Sequence, residues 1–276
     1  MKKEDFPFLR QLAREMSGIS LTEDKAFLVE SRLEAFASRE GVASVDDLIR
    51  RLRQEPLNGL HQRAMEALAN HETLFFRDIA PFEILRRWIV PEILSRGSSG
   101  GRVSVWSAAC SFGQEPYSVA MLLREHFPAL HDSALRLVAS DFSTVAVERA
   151  ASGRYSQLEI NRGLPAPYLL KYFEQHGLEW QLRPEIRRMV EFERLNLLNT
   201  LPAAAPFDII LLRNMLIYLD LDLRRSVLGR IRRALKPDGF LFLGISESTF
   251  GIDDGYSPVA VDNGCYYRLR PTGGLL

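Results

Sequence analysis

From Asp5 to about Ala69 apolar residues return every three or four positions, a spacing that predicts helices and nothing else. The first runs from Phe6 to Met16 and stops at Gly18. Thr22 caps a second, with Glu23 and Asp24 in its first turn and Gly41 at its end. Ser44, with Asp46 and Asp47 behind it, opens a third that ends near Pro56, and a fourth covers about Leu57 to Leu68. Asn70 to Arg77 reads as a loop, and Pro81 to Leu94 as a helix. After Gly97-Ser98-Ser99-Gly100-Gly101 the pattern changes. Strand-like runs at Val103–Trp106, Leu135–Ala139, Val190–Leu195, Phe207–Leu212 and Phe240–Ile245 alternate with helical stretches at Glu115–Phe127, Ser143–Ala151, Pro165–Tyr172 and Leu223–Leu235. Such alternation predicts a mainly parallel sheet covered on both faces. The tail departs from it: Val259–Val261, Asp262-Asn263-Gly264 and Cys265–Leu269 form a hairpin signal with a primed turn. A terminal antiparallel hairpin on a parallel sheet points to the methyltransferase variant of the Rossmann-like plan. Tyr172 to Glu193 holds a second possible hairpin around Gly177, a small appendage to the sheet.

The most informative segment is VSVWSAACSFGQEPYS, Val103 to Ser118. A short strand runs into small residues, turns at Gly113 and enters a helix at Gln114-Glu115-Pro116. Small side chains leave backbone N–H groups open, and the helix start adds unpaired donors and positive dipole, as a nucleotide-binding first turn requires. Asp141 follows the second strand, where a carboxylate can accept hydrogen bonds from ribose hydroxyls or cap the next helix. Asn196 closes the third strand and Arg213-Asn214 the fourth, with Tyr218 four residues further on. Taken singly, Arg213 reads equally as a surface charge and Tyr218 as a packed aromatic. The segment Asn70-His71-Glu72-Thr73-Leu74-Phe75-Phe76-Arg77 also has two readings: an aromatic plug with a solvated arginine, or a loop sending Thr73 and Arg77 to the cleft.

The length, 276 residues with 46% apolar content, allows one large or two small domains with an ample core. Lys plus Arg equal Asp plus Glu at 35 each, so no global field favours nucleic acid. Two cysteines, Cys110 and Cys265, support neither a disulfide framework nor a zinc site. MKKEDFPF does not lead into a signal-peptide core and no long apolar run is present, so a soluble cytoplasmic protein is expected, with nothing asking for more than a monomer.

The ordered set HETLFFRD, VWSAACSFGQEPYS, ASDFS, RGLP, LLRNMLIYLD and LKPDGFLFLGISES resembles the chemotaxis receptor methyltransferase (CheR) family over nearly the whole chain. The resemblance implies a helical, receptor-docking domain over 1–77 and an α/β methyltransferase domain over 78–276, with a small β-subdomain near 173–193. It implies S-adenosylmethionine as methyl donor, S-adenosylhomocysteine as product, and transfer to glutamate side chains on the cytoplasmic helical bundle of chemoreceptors, yielding glutamyl methyl esters. Carried over by motif, Thr73 and Arg77 meet the cofactor from the helical side, Ala108 and Glu115 form the first-turn pocket, and Asp141 with Phe142 beside it holds the ribose. Asn196 and Leu197 border the adenine, while Arg213, Asn214 and Tyr218 line the methionine end; Arg77 and Tyr218 are the candidates nearest the transferring methyl. His71 stands where the family often has Asn, Phe112 and Gln114 where Thr and Glu are common, and Ile245 replaces a frequent His.

A glutamate is already ionised near neutral pH, so such a transfer needs positioning and partial desolvation rather than a general base. Lys25, Arg32 and Arg39 recur every seven residues along the second helix and share one side, either as an ordinary solvated face or as a stripe that docks a Glu-rich receptor helix. The family's subdomain sometimes grips a receptor tether peptide; FEQHGLEWQLRP has a compact turn, and no tether dependence is expected. The alternatives are a non-catalytic signalling module on the same fold, and a methyltransferase of small molecules or nucleic acid.

Overall fold

The computed structural model describes residues 1–96, 102–130 and 134–271, and the expected break at 97–101 lies outside them. Two compact units form: Met1–Asn70 with Ile217–Arg224, and His71–Leu216 with Arg225–Leu276. Among the described residues no helix is long and apolar enough to cross a membrane.

In the first unit, α1 (Phe6–Ser17) ends at Gly18, whose left-handed backbone sends its amide back to the Arg14 carbonyl. A 3₁₀ turn at Glu23–Lys25 takes up the expected start of the second helix, and α2 proper is Ala26–Arg39. The Ser44 side chain accepts from the Asp47 amide at the head of α3 (Val45–Gln54). Asn58 does the same for Leu60 and His61, so α4 (Gly59–Leu68) begins two residues later than its apolar pattern indicates. Leu9, Leu33, Leu48 and Ala64 form the centre of this unit's core. The 217–224 segment belongs here through the Tyr218 carbonyl, which accepts from the Ser20 amide at 2.8 Å, and through Asp220, paired with Arg14 at 2.6 Å.

The second unit opens with α5 (Ala80–Ile84) and α6 (Val90–Ser95), joined by a π-helical turn over Leu85–Ile89. The single helix expected there is interrupted because Pro91 has no amide to close an α-turn on Arg87. The chain continues through β1 (Val103–Ala108), α7 (Gln114–His126), β2 (Leu135–Asp141) and α8 (Thr144–Ser152). Then come β3 (Arg154–Ser156), α9 (Gln157–Asn161), α10 (Ala166–Tyr172), β4 (Phe173–His176), β5 (Glu179–Leu182) and α11 (Pro184–Arg187). It closes with β6 (Val190–Arg194), β7 (Phe207–Leu212), α12 (Leu221–Ala234), β8 (Leu235–Leu243), β9 (Tyr256–Val261) and β10 (Gly264–Leu269).

Seven strands make the large sheet in the order β6-β2-β1-β7-β8-β10-β9. The first five run parallel, while β10 is antiparallel to both β8 and β9, so the expected terminal hairpin closes the sheet. The strand order reverses at β1, which has β2 on one side and β7 on the other. That makes the carboxyl ends of β1, β2 and β7 the edge where such a sheet opens a crevice. Val105, Ala139, Leu211 and Phe242 bury one sheet face, whereas Trp106 stacks on Phe207 at 5.6 Å. The appendage around Gly177 is larger than a hairpin, because β3 pairs with β5 in a three-stranded sheet ordered β3-β5-β4.

Phe75 and Phe76 anchor the 71–77 segment inside the second unit. Phe75 is fully buried, edge-on to Tyr155 at 4.9 Å and to Phe173 at 5.7 Å, and Phe76 packs on Phe82 and Tyr168. Gly163, in the RGLP motif, passes directly beneath the Phe75 carbonyl with φ +99°, and a Cβ there would collide with that oxygen. Gly177 also has positive φ, +63°, but nothing lies within 4 Å of its Cβ direction. Gly163→Ala should therefore destabilise the protein by about 2 kcal/mol or more and Gly177→Ala by roughly half that, read as urea-unfolding midpoints. Equal midpoints for the two variants would show that Phe75 yields freely.

Candidate functional site

The turn after β1 holds an unusual backbone: Ala109 at φ +59°, Ser111 at +51° and Gly113 at +88°. Non-glycine residues in that region each cost of order 1 kcal/mol and persist only where surroundings enforce them. Here the Cys110 amide donates to the Ser140 carbonyl at 2.9 Å and the Gly113 amide to the Cys110 carbonyl at 3.0 Å. The Ser111 amide donates to Asp141 Oδ2 at 2.9 Å, and the Ser111 hydroxyl to the His71 carbonyl at 2.7 Å. The His71 ring lies 5.1 Å from that of Phe112, which is covered on another side by Arg149.

Asp141, 6% exposed at the end of β2, takes the Ser143 amide on its other oxygen at 3.0 Å. The cap of α8 is Ser143, whose hydroxyl accepts the Ala146 amide at 3.2 Å. Asp141 therefore bridges two loops through its two oxygens. Ala108 is buried beside the turn and Phe142 half-buried, its carbonyl held by Arg194 at 3.2 Å. Asn196 Oδ1 accepts the Leu198 amide at 3.0 Å in a tight turn around buried Leu197.

Arg213 and Glu115, expected separately in the cofactor pocket, are bonded to each other. Arg213 Nη1 meets Glu115 Oε2 at 2.9 Å, and Nη2 meets Asp78 Oδ2 and the Arg77 carbonyl, both at 2.7 Å. Ser107 donates to the second Glu115 oxygen at 2.8 Å. The Arg213 side chain is 2% exposed, so its charge is compensated by two carboxylates drawn from a helix start and a loop. Asp78 was not among the candidate residues, although it closes the HETLFFRD motif; its φ is +68°, in a loop that also has +49° at Phe76 and +42° at Ile79. Arg77 itself is half-buried, donates from Nη1 to the Glu72 carbonyl at 3.1 Å, and makes no ion pair among the described residues. Thr73 is half-buried in the same loop.

Asn214 follows in a left-handed conformation, φ +57°, and its amide donates to Glu247 Oε2 at 2.7 Å. Glu247 was not among the candidate residues. Its signal lay in the GISES segment, as an acid three positions past a glycine at a strand end. Tyr218 falls in the first unit, where its hydroxyl oxygen accepts from Asn70 Nδ2 at 2.7 Å. Of the expected basic stripe, Lys25 lies in the 3₁₀ turn before α2 and Arg39 at the end of α2, and both are exposed. Arg32 is half-buried and donates to the Leu68 and Ala69 carbonyls, so its charge caps the end of α4 instead of facing solvent with the other two.

S-Adenosylmethionine carries a carboxylate, an ammonium and a ribose diol. Two buried atoms in this region have no hydrogen-bond partner among the described residues: the Arg213 Nε donor and the Gln114 Oε1 acceptor. A buried donor, a buried acceptor and the two-oxygen face of Asp141 match those groups, so the residues present fit the cofactor.

Comparison with known proteins finds relatives along nearly the whole chain. The family model for the CheR methyltransferase SAM-binding domain matches residues 71–265, and that for the CheR methyltransferase all-alpha domain matches residues 4–69. The chemotaxis protein methyltransferase Cher2 of Pseudomonas putida is 38% identical over 271 residues, covering 96% of this chain and 98% of the relative. Chemotaxis protein methyltransferase 1 of Pseudomonas aeruginosa gives the same identity and coverage, and that of Vibrio parahaemolyticus is 35% identical over 92% of each chain.

Burial pushes the Cys110 thiol well above its ordinary range, and the nearby charges of Asp141 and Glu115 push the same way. Native protein at pH 8 should thus release one equivalent from a disulfide reagent, from exposed Cys265, and a second only in denaturant. Two fast equivalents in the native state would mean that the turn opens readily.

Proposed function

The chain belongs to the CheR methyltransferase family, and on that premise we propose that it esterifies glutamate side chains of chemoreceptors. As a member it is an S-adenosylmethionine-dependent methyltransferase of chemotaxis; the glutamate target, the glutamyl methyl ester and a cytoplasmic site of action are the parts proposed. The observation that carries the reading is Arg77, a half-buried guanidinium without an acidic partner among the described residues. In a chain whose charges balance, such a cation is available for an incoming carboxylate.

When bound, S-adenosylmethionine supplies a methyl group on a positively charged sulfur. In this reading the chain's own groups do the rest. Arg213, Gln114 and Glu115 hold the methionine portion, with Thr73 and Asn214 bordering it. Asp141 takes the ribose hydroxyls beside Phe142 and Ala108, and Asn196 with Leu197 flanks the adenine. Arg77 orients the substrate carboxylate, and the Tyr218 hydroxyl, assigned by the family motif, donates a hydrogen bond near the methyl. The carboxylate arrives ionised, so no side chain has to remove a proton, and the rate gain comes from alignment and exclusion of water. An arginine that grips the ground state as firmly as the transition state would lower KM without raising kcat.

Labelled cofactor, a chemoreceptor cytoplasmic fragment and this protein should yield base-labile label on the receptor. Arg77→Ala should cut kcat/KM roughly a hundredfold and Tyr218→Phe roughly tenfold, with the melting temperature of each variant close to that of the wild type. Base-stable label, or label on another class of molecule, would sink the glutamate assignment. The docking stripe reduces to Lys25 and Arg39. Reversing both charges should raise KM for the receptor severalfold, with an effect that fades at high salt, and should leave cofactor affinity alone. Simultaneous loss of cofactor binding in that variant would count against docking.

A further inference from the structure

We propose that Glu247 is a positioning residue that holds the Arg213–Asn214 strand end in the shape needed to bind the cofactor. The inference rests on the cofactor assignment above and concerns a side chain to which that assignment gives no role. The strands β7 and β8 stay paired as far as Leu212 and Leu243. Beyond that pair the ladder ends, and the chain on the β7 side twists into the left-handed region at Asn214, φ +57°. Two backbone amides would then be left without strand partners at the edge of the sheet where ligands bind. Both converge on one atom: Glu247 Oε2 accepts the Asn214 amide at 2.7 Å and the Gly244 amide at 2.7 Å. The Glu247 amide in turn donates to the Gly244 carbonyl at 2.9 Å, closing a tight turn that fixes the carboxylate's own position. At 9% exposure this carboxylate is largely out of water, where charged acceptors hold N–H groups firmly.

The approach of the two strand ends is close enough to exclude a side chain at position 244. A Cβ on Gly244 would lie 2.7 Å from Asn214 Nδ2, 2.8 Å from Glu247 Oε2 and 2.9 Å from the Asn214 amide nitrogen. The clamp therefore acts on Asn214 directly, and on Arg213 through the adjoining peptide. Arg213 is the residue with the orphaned buried Nε donor, and a small rotation of its backbone would move that donor away from any ligand carboxylate. The rest of Arg213 is fixed by Glu115 and Asp78, so Glu247 supplies the constraint from the backbone side.

Calorimetric titration of the full chain with S-adenosylhomocysteine tests this. Glu247→Ala and Glu247→Asp, the second keeping the charge one methylene short, should each weaken binding roughly tenfold or more. Glu247→Gln, whose amide oxygen can accept the same two N–H groups, should recover most of the affinity, and KM for the methyl donor should rise more than kcat falls. A melting temperature measured alongside separates fold loss from site loss. Should Glu247→Ala fail to fold, the Asp and Gln variants decide: wild-type affinity in the Asp variant, or affinity in the Gln variant as poor as in the Asp variant, overturns the proposal. Wild-type affinity in a folded Ala variant with only a lowered melting temperature does the same. No binding by the wild-type protein would instead defeat the cofactor assignment itself.

Discussion

A guanidinium taken out of water loses several kcal/mol of hydration unless anionic groups replace it, and Arg213 is taken out almost completely, with 2% of its side chain exposed. Glu115 comes from the head of α7, Asp78 from the loop after Phe75-Phe76, and Arg213 from the end of β7. Three segments distant in sequence must therefore meet at one point for any of them to be tolerated there. Buried ion pairs of this kind add little net stability over apolar packing, yet losing any one partner strands a charge. The arrangement fixes location: it determines where the strand end, the helix head and the aromatic loop lie relative to each other within the sheet unit.

Around that point several non-glycine residues are held in the left-handed region. Phe76, Asp78, Ile79, Ala109, Ser111 and Asn214 all have positive φ without being glycine. Several are held by specific bonds, as where Ser111 bridges Asp141 and the His71 carbonyl and the Asn214 amide meets Glu247. Burial of Phe75 against Tyr155 and Phe173 supplies apolar free energy that can offset such strain. In the proposed reading, loops held by such bonds would present amides and carboxylates in place, as alignment-driven methyl transfer requires.

The helical unit follows a different logic. Its packing is apolar and its caps are local, as at Ser44 and Asn58. The one long-range addition is the 217–224 stretch, tied by Tyr218 and Asp220. A residue that leaves β7 six positions earlier in the chain is thus grouped with α1 and α4, and the Tyr218 hydroxyl is oriented by Asn70 rather than by sheet residues.

Periodicity determined most of the architecture from the sequence alone, because apolar spacing and cap residues are local properties: α1 to α4, the parallel strands, the terminal hairpin (its turn at Asp262-Asn263, with Gly264 already paired to Val261) and the strand-end positions of Asp141, Asn196 and Arg213. Local signals missed β3, three residues long, which becomes a strand only because β5 offers it partners. They also missed the π-turn before Pro91 and the capping role of Arg32. The pairing of Arg213 with Glu115 and Asp78, and of the Asn214 amide with Glu247, joins residues 33 to 135 positions apart. Only the tertiary structure could decide these, since the free energy that selects such a partner comes from desolvation at a site the folded chain itself creates.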